Sequence, residues 1–464
     1  MHDLTPTSIS NSGTIDLKAL CERALSLIQQ QRYREAAAAL DQARTLAPDN
    51  AEIWNALGLC AREVGQFEAA VALCRRAAEL NPRSPGVWSN LGTLYRDLRM
   101  PEMASACFET AAILDPQPHA HHYNLGVAHA SAGCHATAIE FFTRSLGVAP
   151  DKPQAVYARA LCHLARGDLK RGWLDYEARF AAGIVARRML PGRPWAMQRY
   201  AGQRLVIAFE QGMGDGIWAA RMFPAVKALG GELVVECPRA LIRLFASMGV
   251  VDRFVPYGQD LPDADWHSHL CSLPGLVTPS LHDIRGTPYL SAAQPSSDKF
   301  RVLRDVPSGV TKVGIIWSGN TRFKRNMHRA TSLKRFVDAF MLPGVQLFSL
   351  QKEEPAAELK AYQGIVDLAP LLDDFADTAA AVAGLDLVIM TDSAVAHLAG
   401  AMGRPIWVLL GYDPAWFWLT DRADSPWYDS MRLFRPRGLD DWTSVFDAAA
   451  AALLRLTQRR QSSG

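Results

Sequence analysis

Three short segments carry side chains whose types and spacing suit the binding of phosphate. In the first, Gly212 and Gly214 make a tight turn directly after the apolar run 204–209, and Asp215 is presented near a helix N-terminus. Read as a cap, Asp215 would satisfy backbone N–H groups, and those bonds would hold its pKa down. In the second, Ser318, Gly319 and Asn320 end the apolar run 312–317, where backbone donors can meet an anion. A basic loop follows, with Arg322, Lys324, Arg325 and Arg329, for which a solvated surface loop is the plain alternative. In the third, an apolar run passes straight into a helix with Asp392 and Ser393 at its start, so that free N–H groups and the positive end of the helix dipole form a diphosphate site. His397 lies one helical turn beyond Ser393 on the same face.

The elements that must position these groups alternate between strand and helix. Apolar runs at 204–209, 232–237, 312–317, 345–350, 385–390 and 405–411 read as strands. Helical patterns at 217–229, 238–249, from Leu333 and at 393–402 separate them. Unbroken apolar runs, rather than alternation, mark parallel strands buried on both faces. Two such series, joined by the Pro/Ser-rich stretch 291–309, predict two Rossmann-like α/β domains sharing a cleft, at 195–295 and 308–440, with a closing helix at 441–458. Trp416, Trp418, Trp427 and Tyr428 are expected to pack between the two domains, with a sugar or base pocket as the alternative.

The preceding part of the chain obeys another period. Pro48, Pro82, Pro116 and Pro150 are spaced by 34 residues, and each closes an amphipathic stretch that opens with a large residue followed by Leu-Gly in three of the four units. Trp54, Leu57, Gly58, Ala70 and Ala77 mark one unit, and Trp88, Leu91, Gly92, Tyr95, Ala104, Phe108 and Ala111 mark the next. The small residues let paired helices approach, the bulky ones fill the gaps, and each proline stops a helix. After a flexible 1–16, units are expected at 17–50, 51–84, 85–118 and 119–152, with a degenerate unit at 153–180 as the joint to the second half. Such a stack makes a concave groove for an extended peptide or a partner protein. Asn90 and Asn124 occupy the same repeat position and could clamp a peptide backbone, whereas Glu22, Ala56 and Ala158 stand there in the other units. His119, His121 and His122 lack an acidic companion in this reading, so no metal site is expected among them.

Composition narrows the classes. The 464 residues allow two or three domains, and 49% apolar with 21% charged residues excludes a disordered or collagenous chain. With 49 basic and 47 acidic side chains, the net charge of +2 does not advertise a nucleic-acid binder. The eight cysteines form no CxxC pair and read as reduced core filler. The N-terminus lacks a secretory pattern and no apolar run reaches the ~20 residues of a membrane helix, so a cytoplasmic protein is expected.

The repeat positions resemble the tetratricopeptide repeat over residues 17–152. The segments 210–226, 313–333, 348–352 and 374–410, with 413–419 and 424–428, are similar to bacterial glycosyltransferases of family 9, heptosyltransferase-like enzymes of GT-B fold. The closer likeness is to the branch in which this module follows tetratricopeptide repeats, as in protein and flagellin glycosyltransferases. The resemblance implies an inverting transfer that needs no cofactor beyond a nucleotide-sugar co-substrate, and because no DxD-type carboxylate pair stands in a metal-binding context the transfer is expected to be metal-independent. It makes Asp215 the general base. It places the donor against Gly214, Ser318, Asn320, Arg322, Lys324, Arg329, Gln351, Lys352, Asp392, Ser393, Ala394 and His397. The acceptor, a protein hydroxyl with flagellin as the natural example, would meet Gln211 and the groove residues Asn90 and Asn124. Alternatives are a glycan or lipopolysaccharide acceptor with the repeats as a recruiting module, or a non-catalytic tetratricopeptide adaptor.

Overall fold

The structure, a computed structural model, describes residues 16–292, 298–321, 326 and 329–463. Ten consecutive helices come first: α1 (Leu17–Gln29), α2 (Tyr33–Leu46), α3 (Ala51–Glu63), α4 (Phe67–Leu80), α5 (Pro85–Asp97), α6 (Pro101–Leu114), α7 (His119–Ser131), α8 (His135–Val148), α9 (Pro153–Ala165) and α10 (Leu169–Tyr176). They form an α-solenoid of paired helices. Caps and prolines define the ends: the Asn50 carboxamide accepts from the Glu52 and Ile53 N–H groups, and Pro85 opens α5. The indole N–H groups of Trp54 and Trp88 donate to the carbonyls of Pro48 and Pro82 at 2.7 and 2.9 Å, so the large residue opening a unit is bound to the proline closing the one before. A Cβ at Gly92 would stand 2.8 Å from the Phe108 ring, and one at Gly126 would stand 2.5 Å from the Phe142 ring. Only glycine permits that approach.

A second period of 34 appears in the backbone. The turn inside each helix pair holds one residue in the left-handed region: Gln31 (φ 60°), Gly65 (82°), Arg99 (58°), Gly133 (75°) and Gly167 (78°). The fifth pair therefore keeps the repeat geometry although it has lost the Leu-Gly and the proline. The chain divides into two compact units between Arg159 and Ala160, inside α9. The joint predicted at 153–180 thus gives most of its length to the second unit, where Trp173 of α10 packs on Trp416 with ring centroids 5.3 Å apart. Seven cysteines are buried and Cys134 is exposed.

The second unit holds two sheets. The first contains β1 (Arg193–Pro194), β2 (Arg204–Ala208), β3 (Glu232–Cys237), β4 (Arg253–Pro256) and β5 (Trp266–His269), all parallel, in the order β1-β5-β2-β3-β4. The helices α11 (Met213–Ala219) and α12 (Phe223–Lys227) connect β2 to β3, α13 (Arg239–Ala246) connects β3 to β4, and α14 (Leu273–Val277) and α15 (Arg301–Arg304) follow β5 on the way to the next sheet. The single helix expected at 217–229 begins earlier, at Met213, and is broken ahead of Pro224. The second sheet contains β6 (Thr311–Ile316), β7 (Val345–Ser349), β8 (Ile365–Asp367), β9 (Leu387–Thr391), β10 (Ile406–Leu409), β11 (Asp424–Ser425) and β12 (Tyr428–Phe434). Its order is β11-β12-β10-β9-β6-β7-β8, parallel except for the β11–β12 edge.

Around the second sheet lie α16 (Leu333–Phe340), α17 (Phe375–Ala383), α18 (Ala394–Ala401) and α19 (Trp442–Ser463). On one face Leu333, Phe336 and Phe340 of α16 and Val445, Phe446, Ala449 and Leu453 of α19 form one core with Val313, Ile315, Leu347 and Ile389. The strands are buried on both faces, as their unbroken apolar runs require. Among the described residues, no helix is long and apolar enough to cross a membrane.

Candidate functional site

In an open parallel sheet a ligand binds outside the carboxyl ends of the strands, at the point where the strand order reverses. For the first sheet that point lies between β2 and β5, which end on Phe209-Glu210-Gln211 and on His269. For the second it lies between β6 and β9, which lead into Trp317-Ser318-Gly319 and Asp392-Ser393. The helix that leaves β2 is α11 and the helix that leaves β9 is α18, and the two pack on each other. A Cβ on Gly214 would lie 3.1 Å from His397 Cδ2 and 3.3 Å from the Ala394 Cα, so the glycine turn rests on the first turn of α18. Gly214, Asp215, Asp392, Ser393, Ala394 and His397 are thereby assembled into one place from two sheets.

Asp215 sits at the third position of α11, with Gly212 as the cap residue, and its Oδ2 accepts the Gly212 N–H at 3.0 Å. The bond is the reciprocal half of a capping box, so the side chain caps backward from within the helix. The bond lowers the pKa as expected, but the net shift is the reverse. Burial pushes the Asp215 carboxyl up to about 6 and outweighs the Gly212 bond, with the carboxylates of Asp392 and Glu210 adding in the same direction.

The facing wall is organised by amides. Gln351 Oε1 accepts the N–H groups of Trp317 and Ser318 at 3.1 and 3.0 Å, and its Nε2 donates to the Lys352 carbonyl. Lys352 Nζ in turn donates to the Leu372 carbonyl. Both residues therefore hold the strand ends in place through their side-chain polar groups. Asn326, which sequence reasoning passed over, accepts the Gly319 N–H and donates to Ser318 Oγ, each at 3.0 Å. Arg329 lies beside Gly319 and pairs with the buried Asp392 at 3.7 Å. Asn320 is exposed at the same strand end. Arg322, Lys324 and Arg325 lie outside the described residues. Helix α18 begins at Ala394 with no side-chain cap from Ser393; the Ala396 N–H returns to the Ser393 carbonyl at 3.0 Å, which leaves the N–H groups of Ala394 and Val395 for another acceptor.

His397 is buried, with Nδ1 3.0 Å from the Tyr428 hydroxyl and its ring stacked on Trp418 at 4.9 Å. Burial, helped by Arg221 and Arg329, takes its pKa down to about 3, so it is a neutral imidazole and not a cation for phosphate. The tryptophans form an aromatic seam: Trp218 of α11 lies 5.4 Å from Trp416 and 5.2 Å from Trp427, edge to face. The buried Trp218 Nε1 has no hydrogen-bond partner, and the rings of Trp416, Phe417 and Trp427 pack around that indole. Arg221 crosses the same seam, donating to the Trp427 carbonyl at 2.9 Å with its guanidinium over the rings of Tyr289, Trp427 and Tyr428.

The structure also brings in a charged pair that the sequence reading did not single out. Buried Glu210, next to Gln211, pairs with fully buried Arg179 at 2.8 Å. Gln211, the acceptor-side candidate, is exposed on its turn, and its Nε2 donates to the Tyr176 hydroxyl at 2.5 Å. A buried Glu ahead of a glycine turn and an Arg among the aromatics of 176–180 were the available signals.

In the first unit, the half-buried Asn90 and Asn124 each donate to the preceding repeat, to Asn55 Oδ1 at 2.9 Å and to Ser89 Oγ at 3.4 Å. They are ties between repeats, in phase with one another. The histidine cluster does have an acidic companion: His121 Nε2 meets Asp115 Oδ2 at 2.8 Å, six residues back and across the helix start. Among the described residues no group of three or more His, Cys, Asp or Glu could hold a metal ion.

Comparison with known proteins places two families on these elements. A tetratricopeptide repeat model matches residues 21–85 and 89–151. The glycosyltransferase family 9 (heptosyltransferase) model matches residues 342–434, which include β9, α18 and the aromatic turn at 416–418. Protein FlbA of Caulobacter vibrioides is 32% identical over 371 residues, 70% of this chain. The chain spans 58% of the length of that relative. Solved structures of PilF from Pseudomonas aeruginosa and of PilW, a type IV pilus biogenesis factor, cover 36% and 38% of this chain and 76% and 81% of their own. Their identities are 21% and 23% and their TM-scores 0.34 and 0.35.

Proposed function

We propose that this chain, which carries tetratricopeptide repeats followed by a glycosyltransferase family 9 domain, transfers a sugar from a nucleotide-activated donor to a hydroxyl of a protein held by its repeats. The observation that supports this reading is the meeting of the two sheets' switch points, where Gly214 rests on Ala394 and His397. A carboxylate base thereby faces an uncapped helix N-terminus.

In this reading the ionised Asp215 removes the proton from the acceptor hydroxyl, and the oxygen attacks the anomeric carbon from the side opposite the leaving phosphate. The transfer inverts configuration in a GT-B architecture. The leaving group's charge is met by the first-turn N–H groups of α18 and by Arg329, without a metal ion. A pKa near 6 suits the base, which is ionised at neutral pH yet holds a proton more tightly than an ordinary aspartate. Neutral His397 contributes shape and a polar edge beside Gly214. The repeats supply a groove for an extended protein segment, with flagellin as the candidate acceptor and the cytoplasm as the compartment.

Intact-mass measurement of flagellin co-expressed with this protein tests the reading. A gain of one or more sugar masses is expected, and Asp215→Asn should reduce it at least ~100-fold. Full transfer by Asp215→Asn would remove Asp215 from the role of base. A sugar appearing on a glycan and on no protein would move the acceptor to the glycan class.

A further inference from the structure

Arg179 belongs to the residues that follow α10, by sequence the end of the repeats, yet its fully buried guanidinium lies at the foot of the Asp215 turn. Its Nε and Nη2 donate to Oε2 and Oε1 of Glu210 at 3.0 and 2.8 Å, the two-pronged fit of a planar fork to a carboxylate. Nη2 also reaches Ser272 Oγ at 2.7 Å, and Nη1 reaches Glu177 Oε1 at 2.7 Å. The rings of Tyr176 and Phe180 close over it with centroids at 5.0 and 4.2 Å. Glu210 Oε1 accepts the Cys271 N–H as well, at 2.9 Å. The pair therefore spans the ends of β2 and β5, the two strands between which the first sheet reverses its order.

The next residue shows what is being held. Gln211 is a non-glycine residue at φ 66°, a conformation that persists only where surrounding contacts fix it, and its amide is bound by the Tyr176 hydroxyl. Glu210 and Gln211, the two residues that open the turn, are thus anchored to the four-residue stretch 176–179. Stability alone does not explain a buried charge pair, because well-packed apolar side chains of similar volume serve as well or better.

We propose that Arg179 is a positioning residue for Asp215: by clamping Glu210 beside the Tyr176–Gln211 contact, it fixes the turn from which the carboxylate is presented. This rests on the reading of Asp215 as base. The charged groups facing Asp215 are Glu210 on its own strand end and Asp392 ahead of α18, with neutral His397 nearby and Arg179 behind Glu210.

Two variants of the full-length protein test this, Arg179→Met and the double Arg179→Met with Glu210→Met. The double variant leaves no unpaired buried charge and keeps the question open to test if the single one does not fold. By hydrogen–deuterium exchange, amides of 209–216 should exchange at least ~10-fold faster in the double variant, with those of 385–401 unchanged. Transfer should lose about 10-fold in kcat while KM for the nucleotide sugar stays within about twofold. Wild-type exchange at 209–216 in the double variant, or unchanged kcat despite faster exchange there, would overturn the proposal. If the unaltered protein transfers no sugar, the reading of Asp215 as base fails by itself. The exchange result still decides whether Arg179 holds the turn.

Discussion

Asp215 has to be ionised to act as a base and yet is surrounded by protein and two other carboxylates, a conflict that makes its role measurable without a substrate. Folding raises its pKa to about 6, whereas an aspartate in an unfolded chain titrates near ~3.9. Between these values the folded state binds more protons than the unfolded one, so stability falls as pH rises from about 4 to about 6 and stays lower above that. Asp215→Asn removes the cost while keeping an acceptor for the Gly212 N–H. The variant should be more stable than the parent at pH 7–8, by roughly 1–3 kcal/mol at ~1.4 kcal/mol per tenfold change in proton affinity. The gap should close below pH ~4. Chemical denaturation across that range checks it, and equal midpoints at every pH would refute the raised pKa. Transfer by the parent should rise with pH up to about 6 and then level off. The aspartate itself was legible in the sequence from its glycine turn. The direction of its shift was not, because burial is contributed by α18 and by Glu210's surroundings, which no local pattern displays.

At the scale of elements, legibility followed burial. The strands β2, β9 and β10 are almost wholly apolar, β3, β6 and β7 keep an apolar stretch around one or two polar residues, and all six could be read directly. β12 could not, because Asp429 and Arg432 point to solvent along it and interrupt the run. β5, Trp266–His269, is half polar and gives no apolar signal. The repeats were legible from four prolines in phase, while the left-handed residue in each turn was hidden because two of the five are not glycine. That mixture makes a prediction. A Cβ at Gly65 or Gly133 would meet nothing within 4 Å, so alanine there tests backbone conformation alone. Gly133→Ala should cost about 1 kcal/mol, and Gln31→Gly should cost nothing or stabilise by up to ~1 kcal/mol. Urea midpoints for the two variants should move in opposite directions, or the first alone should fall. A parallel fall in both would mean that the turns are held by their side chains.

At the scale of the molecule, the division inside α9 sets where the chain can be cut. Removing residues 1–152 leaves α9 whole and keeps Trp173, Tyr176 and Arg179 with the second unit, to which they are bound. That truncated protein should keep its fold and its binding of nucleotide sugars, read by thermal shift, and should lose transfer to a protein acceptor. Removing residues 1–180 takes away Arg179 and leaves Glu210 buried without its partner, a change that typically costs ~3–5 kcal/mol. Its melting temperature should fall well below that of the shorter deletion, and equal melting temperatures would contradict the assignment of 160–180 to the second unit. Contacts of this kind escape a sequence reading because of their separation: Arg179 and Glu210 are 31 residues apart, and Arg221 and Trp427 are 206 apart.

The last of those separations is also an interval of time. During synthesis at ~5–20 residues per second, the carbonyl that Arg221 binds emerges roughly 10–40 s after Arg221 itself. Trp218 waits about as long for Trp416, Phe417 and Trp427. From the emergence of β5 until then, the larger part of that interval, the first sheet stands complete with one aromatic face uncovered, a state in which exposed apolar surface makes a nascent chain prone to aggregation.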